Sequence, residues 1–198
     1  MNETATAKPK DAAQHHLHLS IAEQGKIHAV EGNHPEALRH YREALRMAVA
    51  AGAPEVFFRH YTQCVMESLE LLGSYDEVDE FLARADAHYR EANVQLSIQR
   101  RDHGSILEQR GALALKRGDA AAAKEHLSEA VEIAGKGALP LADELNGWLA
   151  RGYAVDAGRV TESQRRHGTF VVRADKINRA IARPLPRAAV DPAAALRA

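Results

Sequence analysis

The stretch Gly32-Asn33-His34-Pro35-Glu36-Ala37-Leu38-Arg39-His40-Tyr41-Arg42-Glu43-Ala44-Leu45 decides the fold. It opens on a turn signal, places a proline where a new helix can start without its N–H, and continues with good helix formers. Relative to Gly32, the positions at +5, +9 and +12 are Ala37, Tyr41 and Ala44. Spacings of four and three put this small, bulky, small trio on one stripe of a helix.

The pattern returns twice without gaps. GSYDEVDEFLARA from Gly73 gives Val78, Leu82 and Ala85, and GDAAAAKEHLSEAVEIA from Gly118 gives Ala123, Leu127 and Ala130. Small residues admit a neighbouring helix and the bulky one fills the space between. Seven residues before each turn stand Gly25, Met66 and Gly111, and the two glycines permit a close crossing within a preceding helix. Each unit therefore reads as an antiparallel helix pair. Asp76 and Asp119 are placed to favour helix N-termini.

Together these residues resemble the tetratricopeptide repeat, whose signature is a small residue in the first helix, a glycine turn, then Ala, aromatic or Leu, and Ala in the second. The resemblance covers roughly residues 16 to 155. The first unit matches through Gly25, Gly32, Ala37, Tyr41 and Ala44, and the third through Gly111, Gly118, Ala123, Leu127 and Ala130. The second departs at Met66 and Val78. Turn glycines at 32, 73 and 118 are 41 and 45 residues apart, longer than the ~34 of the standard repeat and closer to long-repeat members. The implied fold is all-α: a right-handed superhelix of three to four antiparallel helix pairs over residues 15–158. A basic capping helix is expected over 159–183, between a flexible N-terminus (1–14) and a flexible tail (184–198).

The resemblance also implies a concave groove lined by the first helix of each pair, suited to a peptide or a partner helix. Its inward positions would be Leu19, Glu23 and Lys26, then Gln63, Glu67 and Glu70, then Ser105, Glu108 and Lys116. Family members that grip acidic chaperone C-termini use a Lys and Asn clamp. Ala22, Gln63 and Glu67 stand at such positions here, so that activity is not carried over. The expected function is that of an adaptor, scaffold or chaperone-like module that binds another protein or peptide.

Composition agrees with a globular chain. Of 198 residues, 45% are hydrophobic and 27% charged, and no run approaches the ~18 apolar residues of a spanning helix, so no membrane is expected. A single cysteine, Cys64, precludes an internal disulfide. With no apolar leader in MNETATAKPKDAAQ, a cytoplasmic location is expected.

Charge is uneven. Residues 151–198 hold ten Lys or Arg against four acids, a balance of +6, while the preceding 150 stand at −7. Arg165, Arg166, Arg173, Lys176, Arg179 and Arg183 form a basic patch in sequence. The alternative function is a regulator that senses a peptide with its repeats and touches nucleic acid or an acidic partner through this region. An exposed repeat end can also pair with its copy, which leaves a homo-oligomer open.

Catalytic and cofactor motifs are missing. The sequence contains neither H-E-x-x-H nor a Walker-type or dinucleotide glycine loop, so no metal, cofactor or enzyme activity is expected. His15-His16-Leu17-His18 offers imidazoles without a matching ligand pair and reads as a solvated helix start. Cys64 reads as a small buried thiol, and Trp148 and Tyr153 as packing for a terminal helix.

Overall fold

Alanine-rich segments become helices joined by glycine turns in the computed structural model, which describes the backbone of residues 9–92 and 95–186 and, among these, the side chains from residue 17 onward. Among the described residues the chain is all-α. Its helices are α1 (Pro9–Val30), α2 (His34–Ala50), α3 (Glu55–Leu71), α4 (Tyr75–Ala92), α5 (Ser97–Lys116), α6 (Ala120–Ala134), α7 (Pro140–Ala150) and α8 (Ala157–His167), with a 3-10 turn at Ala174–Lys176 after them.

The three turns share one backbone device. Gly32, Gly73 and Gly118 have φ of +79°, +82° and +80°, the left-handed region that glycine enters without a Cβ penalty. At each, the glycine N–H donates to the carbonyl three residues back, and the next N–H to the carbonyl five back. The pairs are Gly32 to Ala29 with Asn33 to His28, Gly73 to Glu70 with Ser74 to Leu69, and Gly118 to Leu115 with Asp119 to Ala114. This double closure satisfies helix-end carbonyls in the Schellman manner. Asn33 and Asp119 then cap the next helix, accepting from the N–H of Glu36 and of Ala122. Reused turn geometry thus accompanies the sequence repeat.

The chain divides into two compact units, residues 1–68 with 172–198, and residues 69–171. In the first, α1 packs on α2, around Ile21, Ala22, Ala44, Ala48, Ala53 and Tyr61. In the second, α5 packs on α6, α4 on α5, and α7 on α6 and α8. Leu107, Leu127, Leu141, Leu145, Trp148 and Val160 belong to its core. Trp148 accordingly packs a terminal helix, whereas Tyr153 is exposed.

The stripe residues are mostly buried. Ala37, Tyr41, Ala44, Val78, Ala123, Leu127 and Ala130 are inaccessible to solvent, while Ala85 is half-buried. Gly25 and Gly111 are required by their partners. A Cβ on Gly25 would lie 2.7 Å from Tyr41 Cε1, and one on Gly111 would lie 2.5 Å from Leu127 Cγ. In the first and third trios the bulky residue therefore sits against the bare backbone of the preceding helix, whereas the second unit has Met66 at that position.

Past α8 the structure departs from expectation. The basic helix expected over 159–183 ends at His167, because Gly168 takes a left-handed conformation (φ +66°) and closes the helix through the Arg165 and Gln164 carbonyls. From Thr169 to Pro186 the backbone is irregular apart from the 3-10 turn. Gly168 itself is the sequence signal for this stop. Described backbone also reaches into the expected tail, as far as Pro186, and α1 begins at Pro9, inside the expected N-terminal arm. The remaining residues of both termini lie outside the described part.

Two glycine substitutions test the packing. Gly111→Ala gains helix propensity but collides with Leu127, and should destabilise by ~1–3 kcal/mol. Gly147→Ala meets only Arg151 Nη1 at 3.6 Å and should stabilise by ~0.5–1 kcal/mol. Urea unfolding of both variants, with opposite shifts in midpoint, is the expected result.

Candidate functional site

The nine positions assigned to a groove fall into two chemically different sets. In the first unit, α1 contributes Leu19, Glu23 and Lys26, and α3 contributes Gln63 and Glu67. Leu19 and Lys26 are half-buried, Gln63 is exposed, and Glu23 and Glu67 are buried. Buried carboxylates require donors. Glu23 Oε1 accepts from Lys26 Nζ at 2.7 Å, and its Oε2 accepts from the backbone N–H of Asn178 at 2.7 Å. Glu67 Oε2 accepts from the N–H of Val172 at 3.1 Å.

Two further acceptors extend this row. The Ser20 carbonyl accepts from the N–H of Arg183 at 3.0 Å. His40 on α2 donates from Nδ1 to the Glu36 carbonyl at 2.8 Å, which leaves Nε2 to accept from the N–H of Leu185 at 3.0 Å. Burial lowers the His40 pKa, and the nearby His28 and Arg39 act in the same direction while the Glu36 carbonyl bond and carboxylate oppose. The neutral form is the one that can accept. Val172, Ile177 and Leu185 are half-buried, and Leu185 packs against the core cluster of this unit. Residues 172–186 thus lie on α1, α2 and α3, held by main-chain N–H groups.

In the second unit the expected groove residues serve the interior. Glu70 and Lys116 form an ion pair at 2.7 Å with side chains 1% and 0% exposed. Glu70 also accepts from Gln164 at 2.8 Å and Gln109 at 3.2 Å. Burial lowers the Lys116 pKa against the pull of Glu70, and the ammonium stands 5.8 Å from the Phe170 ring centroid. Glu108 accepts from the N–H of Ala142 at 2.7 Å in the first turn of α7, and burial raises its pKa. Ser105 is exposed and donates to the Asp102 carbonyl.

Sequence reading missed the charged seam between α4 and α5. Arg110 reaches Asp79 at 2.9 Å and Asp86 at 3.1 Å, and His103 Nε2 lies 2.7 Å from Asp86. Burial pushes the Asp86 pKa up, but His103 and Arg90 outweigh it and hold it low. It also missed a clamp at Glu144, which takes Ser163 and His167 at 2.7 Å and Arg166 at 2.6 Å. Burial opposes these partners, yet the carboxyl falls to about 2. Both Ser163 and His167 address the carboxylate, so the serine proton is aimed at Glu144 and away from an activating imidazole.

The basic residues are split between the units. Arg165 and Arg166 belong to α8, and Arg173, Lys176, Arg179 and Arg183 to the irregular segment; all six are exposed.

His28, Glu36 and His40 bring ligand atoms within 4.8 Å of one another. However, Glu36 holds Arg39 through three hydrogen bonds, and both His40 nitrogens are engaged. Of the histidine triplet, His15 and His16 have side chains outside the described part. His18 is buried, with Nδ1 2.7 Å from the Tyr61 hydroxyl. Cys64 is fully buried, and burial pushes its thiol up to about 12, far from a reactive thiolate.

Comparisons with known proteins gave no match, whether to family models, to curated proteins or to solved structures.

The buried groups give two testable outcomes. Lys116→Met leaves Glu70 buried beside amides alone and should cost ~3–5 kcal/mol, while Glu70→Leu/Lys116→Met recovers much of that in urea unfolding. Secondly, His40 contributes stability fully above the unfolded imidazole pKa of ~6.5. That contribution declines as pH falls toward its lowered folded value. Since burial also lowers His60 and His126, the wild-type pH slope minus that of His40→Gln isolates it. A positive difference between pH 7.5 and 5 is expected.

Proposed function

We propose that the protein is a non-catalytic interaction adaptor of tetratricopeptide-like construction, whose α1–α3 face holds an extended peptide. One observation carries this reading. Glu23 and Glu67, on α1 and α3, each direct a buried carboxylate oxygen to a backbone N–H of an irregular segment. A charged acceptor for a main-chain donor is a stronger contact than a neutral pair, and it works with any residue that has an N–H. That chemistry suits peptide capture.

The repeat signature supports the same class. Close glycine crossings bring first and second helices together, and the polar positions of the first helices then line a shared surface in proteins of this construction. Glu70, Glu108 and Lys116 are withdrawn from the proposed contact set, because their own partners lie within the second unit.

Panning a random dodecapeptide library on the full chain tests the adaptor role. Enriched peptides should bind with micromolar affinity and lose about tenfold, ~1.4 kcal/mol, on Glu67→Gln and on Glu23→Gln, with far-UV circular dichroism unchanged. An empty selection, or binding indifferent to both substitutions, would overturn the reading.

A further inference from the structure

Residues 172–186 satisfy the face that a partner peptide would need. Their N–H groups at Val172, Asn178, Arg183 and Leu185 meet Glu67, Glu23, the Ser20 carbonyl and His40 in that order. These acceptors belong to three different helices, so the segment is read by the face as a whole. We propose that this segment is an internal ligand, which a partner displaces by presenting an extended main chain with apolar anchors to the same acceptors.

The attachment has the character of an exchangeable ligand. Its polar contacts use the main chain, whereas Arg173, Lys176, Arg179 and Arg183 point to solvent. Basic charge is therefore not what the face selects. Val172, Ile177 and Leu185 supply the half-buried side chains together with the small Ala182, and the three larger ones define the partner: an extended peptide with aliphatic residues spaced by five and eight. A crevice lined by Ser20, Ala180, Ile181, Ala182 and Arg183 remains where the segment crosses α1, so contact there is incomplete. The segment has little regular structure of its own to lose on leaving.

Simple detachment is opposed by the same acceptors. If the segment left, Glu23 and Glu67 would each give up a charge-assisted N–H donor in a poorly hydrated setting. Replacement by another main chain restores those donors. Occupancy is therefore exchanged between segments, and the internal one sets the affinity threshold that a partner must exceed.

The inference rests on the adaptor reading, and its test separates the two. The probe is a fluorescein-labelled synthetic peptide with the sequence of residues 170–186, titrated with the full chain by fluorescence anisotropy. Asn178→Pro/Arg183→Pro removes two donating N–H groups from the internal copy. This variant should bind the probe at least tenfold more tightly than the wild type, and adding Glu23→Gln/Glu67→Gln should cancel the gain. Asn178→Ala keeps its N–H and should stay within twofold of the wild type.

On the wild type, saturating probe should accelerate amide exchange at Val172, Asn178, Arg183 and Leu185; this readout decides the matter if the proline variant fails to fold. Unchanged exchange, or equal affinity of wild type and folded proline variant, would overturn the internal ligand. If library peptides still bind in a Glu67-dependent way, the adaptor role survives that failure, whereas absence of all peptide binding removes both. A wild-type dimer on size exclusion that exchanges this segment between copies would also overturn the proposal, making a second copy the occupant.

Discussion

Bare backbone against a bulky side chain is the contact on which each glycine-crossed helix pair depends. Leu127 lies where a Cβ on Gly111 would be, and Tyr41 stands in the same relation to Gly25. Such contact brings the helices close, and the alanines on either side, Ala37 with Ala44 and Ala123 with Ala130, are fully buried there. Packing is spent on small groups, so each pair buries less apolar area than a leucine-rich pair of equal length. Longer polar residues on α1, α3 and α5 must settle around this narrow core.

They settle with their charges largely removed from water, and the two units compensate in different ways. In residues 69–171, Glu70 meets an ammonium and two amides, and Glu108 meets a helix-start N–H. Those donors come from regular elements fixed by the fold. In the other unit the acids on α1 and α3 meet N–H groups of residues 172–186. The first arrangement is a closed interior. The second has the same demand met by a segment without a helix of its own.

Much of the helical layout was legible because it depends on local chemistry. Gly32, Gly73 and Gly118 announced their turns through the need for positive φ, and Asp119 announced its helix start, while the Asn33 cap was not read from the sequence. The stripe came from periodicity, and its burial agrees. The fate of Glu23 and Glu67 was not legible, since an acid on a helix reads as solvated unless one knows what covers it, and the cover is more than a hundred residues away in sequence. Gly168 was the overlooked local signal. Arginines around it favoured a longer helix by propensity, whereas its left-handed closure ended α8 and released the backbone N–H groups that reach α1, α2 and α3. Likewise Lys116 looked like a groove cation, but its Glu70 partner is 46 residues away.

If the α1–α3 face holds a peptide as proposed, recognition through main-chain donors has consequences for selectivity. An N–H is common to every residue except proline, so Glu23, Glu67, Ser20 and His40 fix direction and register more than they choose a sequence. Discrimination must then come from the side chains that enter the face, where Val172, Ile177 and Leu185 are the internal example. An aliphatic residue differing by one methylene changes affinity by only ~1–3 kcal/mol, so a face of this kind, in the proposed role, would accept a range of peptides and reject few strongly. An internal segment placed on the same acceptors would raise the threshold for all of them equally. Under this proposal weak competitors would fail while a ligand with all three anchors would succeed, so that selectivity would come from competition on a permissive surface.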